Sequence, residues 1–198
     1  MKAPAQACFA ITIAFLFSQC TPSKKPESPI PAAAENGVAS CVAPISKEDS
    51  AKFVSKSLEV KGEVENLLNL NVDSLKLMKT VTIDSFKVVC QSGAIMKEDK
   101  SCKGVLLKDI LDKAKIKQKN HKDRNFYIVA RATDNYKATF SWAELFNNPT
   151  GDNTYVLFEE NGQPIKKQGE LILICKNDIK TGPRHVFWLK SIEVYRVN

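Results

Sequence analysis

The sequence predicts an α+β domain, a mixed β-sheet with a few short helices, over residues 55–198. Three observations carry this. Short apolar runs, alternating or continuous, recur along the domain and stop at Gly, Asn or Pro turn signals, as strands do. Two or three segments repeat at helical spacing and are short. No internal repeat and no second composition block divides the stretch, so it reads as one domain with enough chain for a core.

The elements follow in order. Ser57-Leu58-Glu59-Val60 alternates and stops at Lys61-Gly62, a strand and its turn. Val72 to Met78 places Leu75 and Met78 on one face behind Asn71, a helix with its cap. Thr80 to Ile83 and Phe86 to Val89 read as strand, the second running into Cys90 and the turn Cys90-Gln91-Ser92-Gly93. Val105 to Ala114 sets Leu106, Leu107, Ile110, Leu111 and Ala114 in a stripe, predicting an amphipathic helix that opens after Gly104. Phe126 to Ala132 is a buried strand and Lys137 to Phe140 another, before a short helix whose Ser141 and Glu144 have capping-box spacing. Tyr155 to Glu159, Leu171 to Cys175 and Ser191 to Val197 complete the strands, and Asn161-Gly162 is a hairpin turn.

Ahead of the domain, Lys2 precedes the uncharged run Ala7 to Phe17, and Ser18-Gln19 leads into Cys20. This is the layout of a cleavable export signal over residues 1–19. The run is well short of the ~20 residues a membrane-crossing helix requires. Phe17-Ser18-Gln19-Cys20 resembles the lipobox of bacterial lipoproteins, with Phe17 where Leu is usual and Gln19 where a small residue is usual. The resemblance implies lipid on Cys20 and a protein anchored in the cell envelope. Residues 20–54 are rich in Pro, Ala, Ser, Lys and Glu, a composition that buries too little apolar surface to order itself, and they read as a tether.

The formal net charge is +7, and Lys2 is the one charged side chain in residues 1–19, so the mature chain keeps +6. The lysines are spread along the domain, the pattern of a solvated surface, and no nucleic-acid partner is expected. His121 and His185 are the only histidines and no Cys-x-x-Cys occurs, which argues against zinc. There is no G-x-S-x-G elbow and no Gly-rich phosphate loop. Cys41, Cys90, Cys102 and Cys175 remain besides Cys20, and outside the cytoplasm they could pair in any of three ways.

Four segments then line up in order. They are Cys90 followed by Gly104-Val105-Leu106-Leu107; Ala132-Thr133-Asp134-Asn135-Tyr136 followed by Phe140 to Leu145; Asn161-Gly162-Gln163-Pro164-Ile165 followed by Gly169; and Thr181-Gly182-Pro183-Arg184-His185-Val186 followed by Trp188-Leu189. Together they resemble the molybdopterin-binding domain of the sulfite oxidase family over residues 57–198. The resemblance implies that fold, a molybdenum-molybdopterin cofactor, Cys90 as the protein thiolate on the metal, and Arg184 and His185 toward the cofactor or a small anionic substrate. A soft, deprotonated thiolate suits a metal already bound by sulfur. The other reading of Cys90 is half of a disulfide, most simply with Cys102. The loop Gln91 to Met96 lacks the Arg found in catalytic relatives. Two functions are therefore expected: an envelope molybdenum oxidoreductase with a redox partner, or a non-catalytic ligand- or protein-binding module on the same fold.

Overall fold

The computed structural model describes residues 52–198. The expected signal, Cys20 and nearly all of the expected tether lie outside them. Among the described residues, twelve strands and three short helices confirm the mixed α+β class.

One five-stranded sheet holds β1 (Leu58–Gly62), β2 (Leu68–Leu70), β7 (Phe126–Ala132), β8 (Lys137–Ser141) and β12 (Leu189–Arg196) in the order β2-β1-β12-β7-β8. Here β1 pairs with β12 in parallel, tying the first strand to the last, and the other neighbours are antiparallel. The second sheet contains β3 (Thr80–Ile83), β6 (Cys102–Leu106), β9 (Thr154–Glu160), β10 (Gln163–Pro164) and β11 (Ile172–Cys175), with β9 at its centre. A separate ribbon joins β4 (Phe86–Val89) to β5 (Ile95–Asp99).

Strand periodicity explains the layering. Along β9, Val156 and Phe158 enter the main core, whereas Tyr155 and Leu157 face a smaller cluster with Phe86 and Val88 of the ribbon. Along β11, Leu173 and Cys175 take the first side and Ile172 and Ile174 the second. The second sheet is thus covered on both faces, which is why its strands are continuous apolar runs. The main core fills the space between the two sheets and the helix α2 (Leu107–Ala114), whose Leu107, Ile110, Leu111 and Ala114 are fully buried. Cutting a side chain such as Leu111 to Ala in such a core typically costs about 2–5 kcal/mol.

Local signals act as their chemistry requires. In α1 (Val72–Lys76) the Asn71 side chain accepts from Ser74 N–H at 2.8 Å, so the expected cap is present. At α3 (Trp142–Phe146) Ser141 Oγ accepts from Glu144 N–H at 3.1 Å while Glu144 Oε2 accepts from Ser141 N–H at 2.8 Å, a complete capping box. Asn161 and Gly162 both have positive φ, 51° and 73°, the conformation a tight hairpin needs.

One expectation is corrected. The helix starts at Leu107, not after Gly104, because Gly104 and Val105 are strand residues paired to both β3 and β9, and Leu106 continues the pairing to β9. A Cβ on Gly104 would come within 2.2 Å of the Val156 carbonyl oxygen, so this glycine serves a close strand-to-strand approach. The packed region also starts before Ser55, since the Phe53 ring lies 5.6 Å from that of Trp188. No helix among the described residues is long and apolar enough to cross a membrane.

Candidate functional site

Two segments far apart in sequence are pinned together to make a cavity. Cys90 follows β4 and starts a tight turn into β5, with Cys90 N–H donating to the Ala94 carbonyl at 2.8 Å and Gly93 N–H to the Cys90 carbonyl at 2.9 Å. Thr181 clamps this ribbon from the other side. Its hydroxyl accepts from Val89 N–H at 2.8 Å and donates to the Lys87 carbonyl at 2.6 Å. The next residue, Gly182, lies so close that a Cβ would come within 2.9 Å of the Val89 carbonyl oxygen and 3.5 Å of the Cys90 Cα. The expected meeting of Cys90 with the turn Thr181 to His185 is therefore realised. Between them opens a cavity of about 560 Å³ lined by Cys90, Met96, His185, Phe187 and Trp188 among others.

The polar atoms on its wall are unusual. His185 and Trp188 are each 6% exposed, yet both imidazole nitrogens and the indole Nε1 have no hydrogen-bond partner. Buried polar groups in native proteins are normally satisfied, so such atoms call for a reason. The imidazole is wedged edge-on against Phe187 and Phe86, with ring centroids 4.3 and 5.8 Å away. Burial, with a smaller contribution from the nearby Lys97 charge, pushes its pKa down to about 3, so the ring is neutral at physiological pH. Trp188 also has φ 47°, a strained conformation for an aromatic residue, held where Trp188 N–H donates to the Gln168 carbonyl at 2.7 Å.

Lys97 on the cavity wall and Arg184 beside it are both already paired with carboxylates. Lys97 holds Asp99 at 3.0 Å, together with Glu160. Arg184 stands between the lining residues Pro183 and His185 but is not itself part of the wall. Its guanidinium donates to both carboxylate oxygens of Asp178 and, at 3.0 Å, to Glu144, and it stacks 4.5 Å over Phe140. Asp134 and Tyr136 stand on the wall, Tyr136 donating its hydroxyl to the Pro183 carbonyl at 2.8 Å. His121 is solvent-exposed.

Cys90 is 2% exposed and disulfide-bonded. Cys102 and Cys175 are free, so the expected alternative, a bridge between Cys90 and Cys102, is not formed. Burial pushes the Cys102 thiol up to about 12 and raises that of Cys175, which makes both poor nucleophiles. Sequence reasoning named Cys90 and His185 but missed Trp188 Nε1 and the Lys97, Asp99 and Glu160 group. The charged stretch Met96-Lys97-Glu98-Asp99 gave no strand signal to place them.

Residues 44–197 match the family described as oxidoreductase molybdopterin binding domain. The chain belongs to this family. Among solved structures, the sulfane dehydrogenase SoxCD from Paracoccus pantotrophus has a similar fold, with a TM-score of 0.55 at 17% identity over 77% of this chain. The match covers 40% of that chain, so the present sequence spans well under half of the dehydrogenase chain. No curated protein matches the sequence.

The family's cofactor is molybdopterin, and the cavity can be tested for it. Its aromatic walls and the unpartnered nitrogens of His185 and Trp188 fit a flat heterocycle bearing both donors and acceptors. At the metal end, Cys90 supplies a sulfur on the same wall, which must leave its disulfide before it can act as a thiolate ligand. The one cation of the lining, Lys97, is paired with Asp99 and Glu160.

Proposed function

We propose that this molybdopterin-binding domain is an oxidoreductase of the cell envelope, anchored to a membrane through lipid on Cys20 and exchanging electrons with a redox partner there. The observation that carries the reading is the convergence of a cysteine sulfur and three unpartnered ring nitrogens on one cavity in a chain of this family. Cys90, once reduced, would hold the metal. His185 and Trp188 would hold the pterin, the neutral imidazole giving one donor and one acceptor and the indole a second donor. When bound, the cofactor supplies two-electron redox chemistry. The aromatic walls exclude water from that chemistry, and Thr181 fixes the distance between the cysteine turn and the His185 turn. Arg184 acts at one remove, bracing the His185 turn against Asp178 and Glu144.

The disulfide on Cys90 favours a second reading, a binding module in which the sulfur is locked and the cavity takes a ligand without turnover. Molybdenum analysis of protein purified from its native envelope, with and without a dithiol reductant, separates the two. The oxidoreductase reading expects about one molybdenum per chain after reduction, lost in Cys90→Ser. Full-length protein without molybdenum under either condition would leave the binding module. The anchor is checked in parallel: Cys20→Ser should abolish fatty-acid labelling and release the protein from the membrane fraction.

A further inference from the structure

The loop between α2 and β7 gathers charge that the sequence shows only as scattered lysines. Within residues 113–124, Lys113, Lys115, Lys117, Lys119, Lys122 and Arg124 are all solvent-exposed. The loop is folded on itself: Ile116 bridges to Val64, Lys119 N–H donates to Asp123 Oδ2 at 2.8 Å, and Gln118 Nε2 donates to the Asp123 carbonyl at 2.7 Å. Its one carboxylate, Asp123, also accepts from Arg196 at 2.6 Å. Of the acids beside it, Glu63 lies 3.8 Å from Arg196, Glu65 lies 4.0 Å from Lys115, and Asp112 stands on the last turn of α2. Lys113, Lys117, Lys119 and Lys122 have no carboxylate partner among the described residues. Next to these ammonium groups is an aromatic pair. Trp142 and Phe146, both half-buried and one turn apart on α3, stack with ring centroids 5.1 Å apart. With Lys115 and Ile116 they line a hollow of about 240 Å³, and the Arg124 guanidinium lies 5.2 Å over the Trp142 ring.

This surface and the cavity stand at opposite ends of the same strands. β7 runs from Phe126, just after the loop, to Ala132, which pairs with Leu189 next to Trp188 of the cavity wall. β12 runs the other way, from Leu189 to Arg196, whose guanidinium holds Asp123. β8 returns to Ser141, opposite Tyr127, and so delivers Trp142 to the loop end. Seven strand residues rise ~20 Å, so the chain's two tryptophans mark the two ends. Protein interfaces are enriched in Arg and depleted in Lys, yet five of these six loop cations are lysine. Ammonium groups without fixed partners suit the diffuse charge of anionic headgroups, and a half-buried indole under a cation suits the headgroup boundary. We propose that this loop, with Trp142 and Phe146, docks the domain on an anionic lipid surface and turns the cavity away from the bilayer. The contact adds to the lipid proposed on Cys20 and does not rest on it. Phe53 packs on Trp188 at the cavity end, and the chain from there back to Cys20 can span on the order of 100 Å when extended, so both attachments can hold at once.

The test uses the full mature chain carrying Cys20→Ser, so that no lipid contributes. It should sediment with vesicles of mixed phosphatidylglycerol and phosphatidylcholine at low ionic strength, stay in solution with phosphatidylcholine alone, and be released by salt. Lys117→Gln with Lys119→Gln should weaken that binding about tenfold or more. Lys166→Gln with Lys167→Gln removes the same charge from exposed positions outside the loop and should weaken it less than about twofold. Phosphatidylglycerol brominated on its acyl chains should quench Trp142 and spare Trp188, so the quenching should disappear in Trp142→Phe. Equal weakening by the two lysine pairs would reduce the effect to net charge and overturn the proposal. Quenching that survives Trp142→Phe would put the cavity end on the bilayer and overturn it too. No retention on anionic vesicles would also overturn it and leave an acidic protein as the loop's partner. Fatty-acid labelling of the unaltered Cys20 reads the anchor separately, so either attachment can fail without the other.

Discussion

Glu193 and His185 are equally withdrawn from water, 5% and 6% exposed, and the protein treats them in opposite ways. Glu193 sits on β12 with each carboxylate oxygen doubly satisfied. Arg131 donates to both at 2.9 and 2.7 Å, Ser191 adds a bond at 3.0 Å and Tyr195 one at 2.7 Å. Arg131 is held in turn by Asn135 at 2.9 Å. His185 has none of this: neither imidazole nitrogen has a partner, and the ring lies against Phe86 and Phe187. A buried network with every atom paired locks strands together, and a buried ring with no atom paired is a cost the fold retains where a ligand can remove it. The difference separates a structural polar cluster from a functional one without reference to any relative.

The largest effect that could break this comparison lies at Glu193. Glu193→Gln leaves the Arg131 guanidinium without its counter-charge and should cost about 3 kcal/mol in denaturant unfolding. Hydrogen bonds from Arg131, then Tyr195 and Ser191, pull the carboxyl pKa down to about 2. A carboxyl lowered on folding stabilises above its unfolded value, roughly 4.3, and that contribution disappears as pH falls toward 2. The unaltered chain should therefore lose stability steeply across this window, and the variant should lose it more gently. A Glu193→Gln protein within 1 kcal/mol of the unaltered chain at pH 7 would mean that the network is ornamental and that satisfaction is no guide here.

How much of this could be read from the sequence follows the range of the interactions. The caps at Asn71 and Ser141 and the hairpin at Asn161-Gly162 are local, and their residues announced them. Strands buried on both faces, such as β9 and β11, showed as apolar runs. β5 was invisible because its charged residues mask it: Asp99 is buried and Lys97 half-buried in an ion-pair group that is completed by Glu160 from β9. The helix boundary at Leu107 was misplaced because Leu106 fits the helical stripe of Leu107, Ile110 and Leu111 as well as it fits a strand, and only the strand pairing of residues 104–106 decides. Cys90 and His185 were legible as candidates. That Arg184 would be claimed by Asp178 and Glu144 was not, since Glu144 lies forty residues away and is recruited through its place in a capping box.

A smaller effect sharpens the comparison from the other side. His185→Phe replaces an unpartnered ring by an apolar one of similar size among Phe86 and Phe187, so no hydrogen bond is lost and the desolvation cost of two nitrogens is removed. Stability at pH 7.5 should stay within about 1 kcal/mol of the unaltered chain. The pH dependence should change more than the stability itself. The imidazole titrates near 6.5 when unfolded and only at about 3 when folded. Between those values the unfolded chain binds a proton that the folded one does not, so stability is full above pH 6.5 and declines as pH falls. The slope approaches 1.4 kcal/mol per pH unit, or roughly 2 kcal/mol lost by pH 5, before the Glu193 window begins. Unfolding curves at pH 7.5 and pH 5 should show that loss in the unaltered chain and lack it in His185→Phe. Equal losses in both would place a water or a partner on the imidazole in solution and return His185 to the structural class that Glu193 defines.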